Sequence, residues 1–421
     1  MKITRLAAVG AIAALALAGC STNGSTQEPK PTDSSATSET PEEPAANTEL
    51  TVWLAGETDT PEPAVEWLTK AAADQLQVDL KVERIGWGDL VPKVTTSIGD
   101  ASTTPDIVEL GNTQVQAFTH AGAFTDITAL WDSIGGKGLS LQGMVDGGSV
   151  EGTLYAAPYY AGSRVVFYNE DLVAADQLPK TLGDLTALAE KLNTDDVSGF
   201  YIGGQDWRNG ISWIFANGGQ IATFEDGKWV GQLSSENSLK GLTEFQTLLA
   251  TGTNAPKDGT DADLWVPFNE GKAAMFMAPG WAAGLIEADF KWSAFPLPGV
   301  DGGVAPVFLG GSNIGISAAS ANQEKAAEVL KLMLSKDYQL ILAEAGLSTI
   351  YPEHEELAKG DPVKEASAAA AADGIIPVPS AKWAAFEESK QLEELFYEIA
   401  SGGDVKEIAA KYDVILNEQL N

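Results

Sequence analysis

The side chains best suited to holding a ligand in this 421-residue chain are aromatic rings at helix entrances and polar groups in loops. Trp207, Trp281 and Trp383 fall at expected loop-to-helix junctions, where an indole can stack on a ligand. Glu57, Thr58, Asn112, Thr113 and Gln114 fill two loops that follow expected strands. A sugar ring offers an apolar face of C–H groups and a rim of hydroxyls. Aromatic platforms beside Asp, Glu, Asn, Gln and Arg are therefore the side chains that hold one. Trp53, Trp213 and Trp292 sit inside expected strands or helices, and core packing is the role expected of them.

Bond-breaking chemistry finds little support. The two histidines are His120 and His354, and His354-Glu355 opens like H-E-x-x-H but has Ala358 in the second histidine's place. Gly310-Gly311-Ser312-Asn313-Ile314 lacks the last glycine of a nucleophile elbow, and no histidine is placed to serve it. Neither a P-loop nor a dinucleotide fingerprint follows the first strand, so no cofactor is expected. Asp258, Asp261 and Asp263 resemble a calcium loop without its glycine and its closing glutamate, and no metal is expected. Adjacent acids such as Glu387-Glu388 and Glu393-Glu394 read as solvated helix faces, although a glycosidase also needs two carboxylates across a cleft.

These residues need a scaffold of more than one ordinary core, which the chain's length permits. With 59 acidic against 26 basic residues the net charge is -33, which disfavours nucleic acid and gives no electrostatic attraction to anionic lipid. Lys2 and Arg5 precede an apolar run too short to span a bilayer, and Leu17-Ala18-Gly19-Cys20 ends it. Residues 1–19 thus read as a signal peptide, and 20–48 as a tether too poor in apolar residues to fold. Cys20 is the single cysteine, so a disulfide framework and a cysteine zinc site are excluded.

Folded sequence is expected from Glu49, with a strand through Leu54, a helix, a strand at 78–85, a helix from 87 to 98 and a strand at 105–110. That order implies an open parallel sheet with helices on both faces and ligands beyond the strands' carboxyl ends, at the loops 56–58 and 111–114. Gly152 to Leu172 reads as two short strands, Tyr155-Ala156-Ala157-Pro158 and Val165-Val166-Phe167-Tyr168, separated by a bend at Gly162. Further strands are expected at 200–202, 271–277, 292–298 and 310–317, and helices at 181–192, 239–249, 323–334, 338–345, 363–371, 381–399 and 405–416.

The Gly152–Leu172 stretch, the Pro105-Asp106-Ile107-Val108 strand and Gly271-Lys272-Ala273-Ala274-Met275 leading to Trp281 resemble family 1 extracellular solute-binding proteins. These are the sugar-capturing components of bacterial ABC importers, and the resemblance runs in family order from Leu50 to the C-terminus. Lipobox and leader likewise resemble those of a lipoprotein whose Cys20 is acylated at the extracellular face of the membrane. The resemblance implies a two-lobe periplasmic-binding-protein fold of α/β class, each lobe a mostly parallel sheet flanked by helices. Residues 49–160 and 301–350 are assigned to the first lobe, and 161–300 and 351–421 to the second. It also places Tyr159, Tyr160 and Arg164 on the hinge segment and Asp206 with Trp207 in the second lobe, and it gives Trp281 and Trp383 stacking roles.

The runs Glu109-Leu110-Gly111-Asn112-Thr113 and Ala161-Gly162-Ser163-Arg164 look like the subgroup that includes diacetylchitobiose-binding proteins. The implied activity is capture of an uncharged, disaccharide-sized oligosaccharide by a monomer that delivers it to a membrane permease. The alternatives are a lipid-anchored glycoside hydrolase, a binder of a non-sugar solute, and an adhesion or scaffold protein.

Overall fold

The computed structural model describes residues 47–421, so the expected signal peptide, Cys20 and nearly all of the tether lie outside the described residues. Among the described residues no helix is long and apolar enough to cross a membrane.

The first β-α-β unit forms as its patterning predicts. Strand β1 (Thr48–Ala55) leads through helix α1 (Glu62–Leu76), with Pro61 at its N-cap, to β2 (Val78–Ile85), and the two strands pair in parallel. Helix α2 (Trp87–Ser97) and β3 (Ile107–Gly111) follow, and β3 pairs in parallel with the other edge of β1. Pro92 lies inside α2, beyond the first turn in which a helix tolerates proline. Lacking an N–H, it gives nothing to the Gly88 carbonyl one turn back.

Beyond this parallel trio the sheet becomes antiparallel. Its order places β3 against β7 (Leu309–Ile316), then β4 (Ala156–Asn169), then β6 (Trp292–Phe295), with β5 (Met275–Pro279) also on β4. The stretch read as two strands is one continuous strand of 14 residues. Its first half, Ala156 to Ser163, pairs with β7, and its second half, Arg164 to Asn169, pairs with β5 and β6. Pro158 is tolerated inside the sheet because the register of β7 shifts between Ser312 and Asn313 opposite it, a bulge that spares one ladder position.

The same strand feeds two apolar cores. One gathers Leu50, Val52, Ile107, Tyr159 and Tyr338; the other gathers Val166, Tyr168, Trp213, Phe245, Met275 and Phe396. Gly311 makes the crossing possible: its φ is +128°, and a Cβ there would lie 2.3 Å from the Tyr160 carbonyl oxygen. Gly311→Ala is expected to cost about 2–5 kcal/mol from strain and overpacking together, measured as a lower denaturant midpoint. An unchanged midpoint would show that the close approach is not fixed.

Other departures are local. The expected strand at 200–202 is reduced to a parallel bridge between Tyr201 and Phe276. The helix expected at 381–399 is two, α3 (Trp383–Glu388) and α4 (Gln391–Ala400), broken where Lys390 takes a φ of 59°.

Candidate functional site

A cleft of ≈ 950 Å³ opens at the carboxyl ends of β1 and β3, along the middle of β4 and at the start of β7. Its first wall is built on a turn that only glycine allows. Gly56 has φ +71°, and a Cβ on it would lie 1.4 Å from the Asp59 carboxylate oxygen. The space so left lets Asp59 accept a hydrogen bond from Trp87 Nε1 at 3.0 Å, which holds the indole at the entrance of α2. Trp87 is 41 % exposed and lines the cleft beside Thr58, Asp59 and Gly88. Burial raises the proton affinity of the Asp59 carboxyl, against the lowering effect of the Trp87 N–H and the Arg84 charge. The loop after β3 adds Asn112, Thr113 and Gln114. Asn112 Nδ2 donates to the Leu309 carbonyl at 2.8 Å, tying that loop to β7.

The opposite wall carries Trp281, on the 3-10 turn Gly280–Leu285 that follows β5. Its ring is 49 % exposed and is braced edge-on by Trp265, with centroids 5.9 Å apart. Two exposed indoles thus come from separate parts of the sheet, and flat apolar rings with polar groups between them suit the C–H face and hydroxyl rim of a sugar.

Between the walls lies a charged floor. Arg164, on β4, is 4 % exposed, and its guanidinium rests 4.6 Å from the centre of the Phe308 ring. Asp261 sits 3.6 Å from both Arg164 and Arg208, and Arg208 also pairs with Glu387 at 2.5 Å. Burial lowers the Arg164 pKa to about 10, opposed by Asp261 and Asp206. Its Nε is buried without a hydrogen-bond partner. For Arg208 burial is outweighed by Glu387 and Asp261, which hold its proton more tightly. Among the described residues no group of three or more His, Cys, Asp or Glu is arranged to hold a metal ion.

The structure brings Thr58, Asn112, Thr113, Gln114, Tyr160, Arg164 and Trp281 to this cleft. It does not bring the other five expected residues there. Glu57 is exposed outside the lining, because the turn at Gly56 points Thr58 and Asp59 inward instead. Tyr159 is fully buried and hydrogen-bonds to Thr60 and Tyr338; it is the residue the β4–β7 register skips, and its ring packs 5.1 Å from that of Tyr160 on the core side. Asp206 is buried beneath the floor, where it caps the helix Trp207–Ala216 by accepting the Asn209 N–H at 3.0 Å. Trp207 and Trp383 pack edge to face at 6.3 Å in the second core, with 1 % and 0 % exposure. Trp383→Ala is therefore expected to lower stability by about 3–5 kcal/mol through the cavity it leaves, seen in a denaturant melt. A variant as stable as the parent would show that the ring is not packed.

Trp87, Asp59, Arg208, Asp261, Glu387, Lys390 and Glu393 line the cleft and were missed. For Trp87 and Asp59 a signal was present, an acid and an indole at a strand end and a helix start. For the others the partners are too far apart in the chain for spacing to reveal them.

Residues 66–371 match the family described as Bacterial extracellular solute-binding protein. The chain is 31% identical over 360 residues to the diacetylchitobiose binding protein DasA of Streptomyces coelicolor, covering 80% of this chain and 81% of that one. It is 27% identical over 284 residues to a lactose-binding protein of Rhizobium radiobacter, covering 61% and 64%. In fold it is similar to the sugar-binding protein MalE of Xanthomonas citri, with a TM-score of 0.78 at 18% identity, over 89% of this chain and 97% of that one.

Proposed function

We propose that this chain, which belongs to the bacterial extracellular solute-binding protein family, captures an uncharged oligosaccharide of disaccharide size in the cleft between Trp87 and Trp281 and hands it to an ABC importer permease. The pair of exposed indoles facing one polar cleft carries this reading. Thr58, Asn112, Thr113, Gln114, Tyr160 and Arg164 are the polar contacts, and Asp59 joins them. The relatives named for diacetylchitobiose and lactose bind sugars of this size, which supports the ligand class.

Capture uses the crossing strand β4 and the Gly310-Gly311 pair of β7 as a hinge. A ligand touching both walls makes contacts that only the closed form offers, and it stabilises that form by their free energy. Micromolar affinity needs about -8 kcal/mol, within reach of two stacked rings and the hydrogen bonds of the rim. The lobes are 49–160 with 301–350 and 161–300 with 351–421; Cys20 is the lipid anchor at the outer face of the membrane, and the protein acts as a monomer.

The test is intrinsic tryptophan fluorescence of residues 47–421 titrated with diacetylchitobiose, maltose, trehalose, cellobiose and xylobiose. A saturable shift with one of them, and recovery of that sugar intact, supports a binding protein. No response from folded protein would move the ligand to a non-sugar solute, and sustained turnover would make the protein a hydrolase.

A further inference from the structure

Strand β3 carries a carboxyl that the site above leaves unused. Glu109 is completely buried; its Oε2 accepts the Ala55 N–H at 3.0 Å, and its Oε1 has no partner. The groups that face it come from every element packed around β3. From β1 it receives only that N–H; the loop after β1 brings Asp59, β4 brings Tyr159 and Tyr160, β7 brings Ser312, and the helix Lys336–Glu344 brings Tyr338. None of these is a cation; Arg84, on β2, acts on Asp59 and Tyr338 but is not among the groups that act on Glu109. The hydroxyls of Tyr160 and Ser312 lie close enough to Glu109 to favour its charged form, yet both are buried without a completed hydrogen bond.

An acid in such a place is better neutral than charged, because a buried carboxylate without a cation loses its hydration and gains little in return. Burial drives its pKa up to about 7, and the Asp59 charge adds to the rise. Both forms are therefore populated near neutral pH. Asp59 and Tyr160 are also the two neighbours of Glu109 that line the cleft. A ligand lying over them displaces the water that screens Asp59 from Glu109, so the repulsion between the two carboxylates grows.

We propose that Glu109 is a positioning residue of the cleft that takes up a proton when a ligand covers Asp59 and Tyr160, so that ligand affinity is set in part by this one buried acid. The inference rests on the reading of the cleft as a ligand site. The direction follows from linkage: the ligand raises the proton affinity of Glu109, so binding is tightest at acid pH. It weakens as the pH rises through neutrality, until the acid is ionised with and without ligand. Asp206, on the other side of the floor, is a second buried acid with raised proton affinity, and a variant at Glu109 alone separates the two.

The experiment is calorimetric titration of the full chain with diacetylchitobiose, from about pH 6 to about pH 8.5, in two buffers of different ionisation enthalpy. The parent is expected to lose about 3–10-fold in affinity across that range and to take up a fraction of a proton. Glu109→Gln is expected to bind with a flat pH profile and no uptake. A flat profile and zero uptake in the parent overturn the proposal even if the variant does not fold, and so does an unchanged pH dependence in a folded Glu109→Gln. If none of the five disaccharides binds, the sugar reading fails by itself, and the proton is then read directly by carbon NMR of the side-chain carboxyls in the unliganded chain. A resonance titrating near neutrality and missing from Glu109→Gln supports the buried acid, and titration of Glu109 in the ordinary carboxylate range overturns it.

Discussion

Trp281→Ala and Trp87→Ala are each expected to weaken disaccharide binding by about 10–100-fold while leaving the fold close to its parent stability. Covering one sugar face on an indole removes on the order of 100 Å² of apolar surface from water, worth roughly 1.5–3 kcal/mol, and each 1.4 kcal/mol is about tenfold in affinity. Both rings are about half exposed before any ligand arrives, so their removal opens no core cavity. Trp281→Ala uncovers part of Trp265, a small loss on the scale of one aromatic pair, about 0.5–1.5 kcal/mol. Trp87 has a second duty, since its Nε1 donates to Asp59. Trp87→Phe keeps a platform but drops that bond, and should fall between parent and Trp87→Ala. Isothermal calorimetry is the measurement, because both variants remove a fluorophore. Wild-type affinity in Trp87→Ala and Trp281→Ala alike would take the ligand out from between the two walls.

How far these residues were legible in the sequence depends on whether local pattern determines which way a side chain faces. Strand β1, the helix after it and β2 follow their apolar periodicity, and the polar loops beyond β1 and β3 reach the cleft because strand ends in an open sheet have nowhere else to put them. Trp207, Trp281 and Trp383 all occupy similar junctions, yet only Trp281 meets the cleft. A junction fixes where a residue starts a helix but leaves open which side of that helix the core covers, and for Trp207 and Trp383 the core is the other ring. The break at Lys390 was hidden for a related reason: a non-glycine residue in the left-handed region leaves no compositional mark, whereas tertiary packing can hold it there. Tyr159 and Tyr160 escape local pattern too: the β4–β7 register skips Tyr159, so the two rings come within 5.1 Å of each other instead of alternating, and no residue type marks that bulge.

Arg164→Met is expected to lower stability by about 3–5 kcal/mol at neutral pH, the scale for removing one partner of a buried charge network, and to lower ligand affinity with it. The methionine fills much of the same space against Phe308, so the loss is electrostatic rather than a cavity. Without Arg164, Asp261 keeps Arg208, which is already shared with Glu387, and Asp206 loses the cation that restrains its proton affinity. Asp206 already has its proton affinity raised by burial and then by Asp261, with Arg164 among the groups that restrain the rise. The sign follows from that direction. A carboxyl whose folded pKa lies above its unfolded value costs stability when ionised, and the cost is relieved as the pH falls through the folded value. The destabilisation of Arg164→Met should therefore shrink from about pH 8 to about pH 5.5. Adding Asp206→Asn should recover part of it at the higher pH, because asparagine still caps the helix Trp207–Ala216 and carries no charge. Urea unfolding of parent, single and double variants at both pH values measures this. An equal loss at the two pH values, with no rescue by Asp206→Asn, would mean that Arg164 holds the floor through packing on Phe308 and not through its charge.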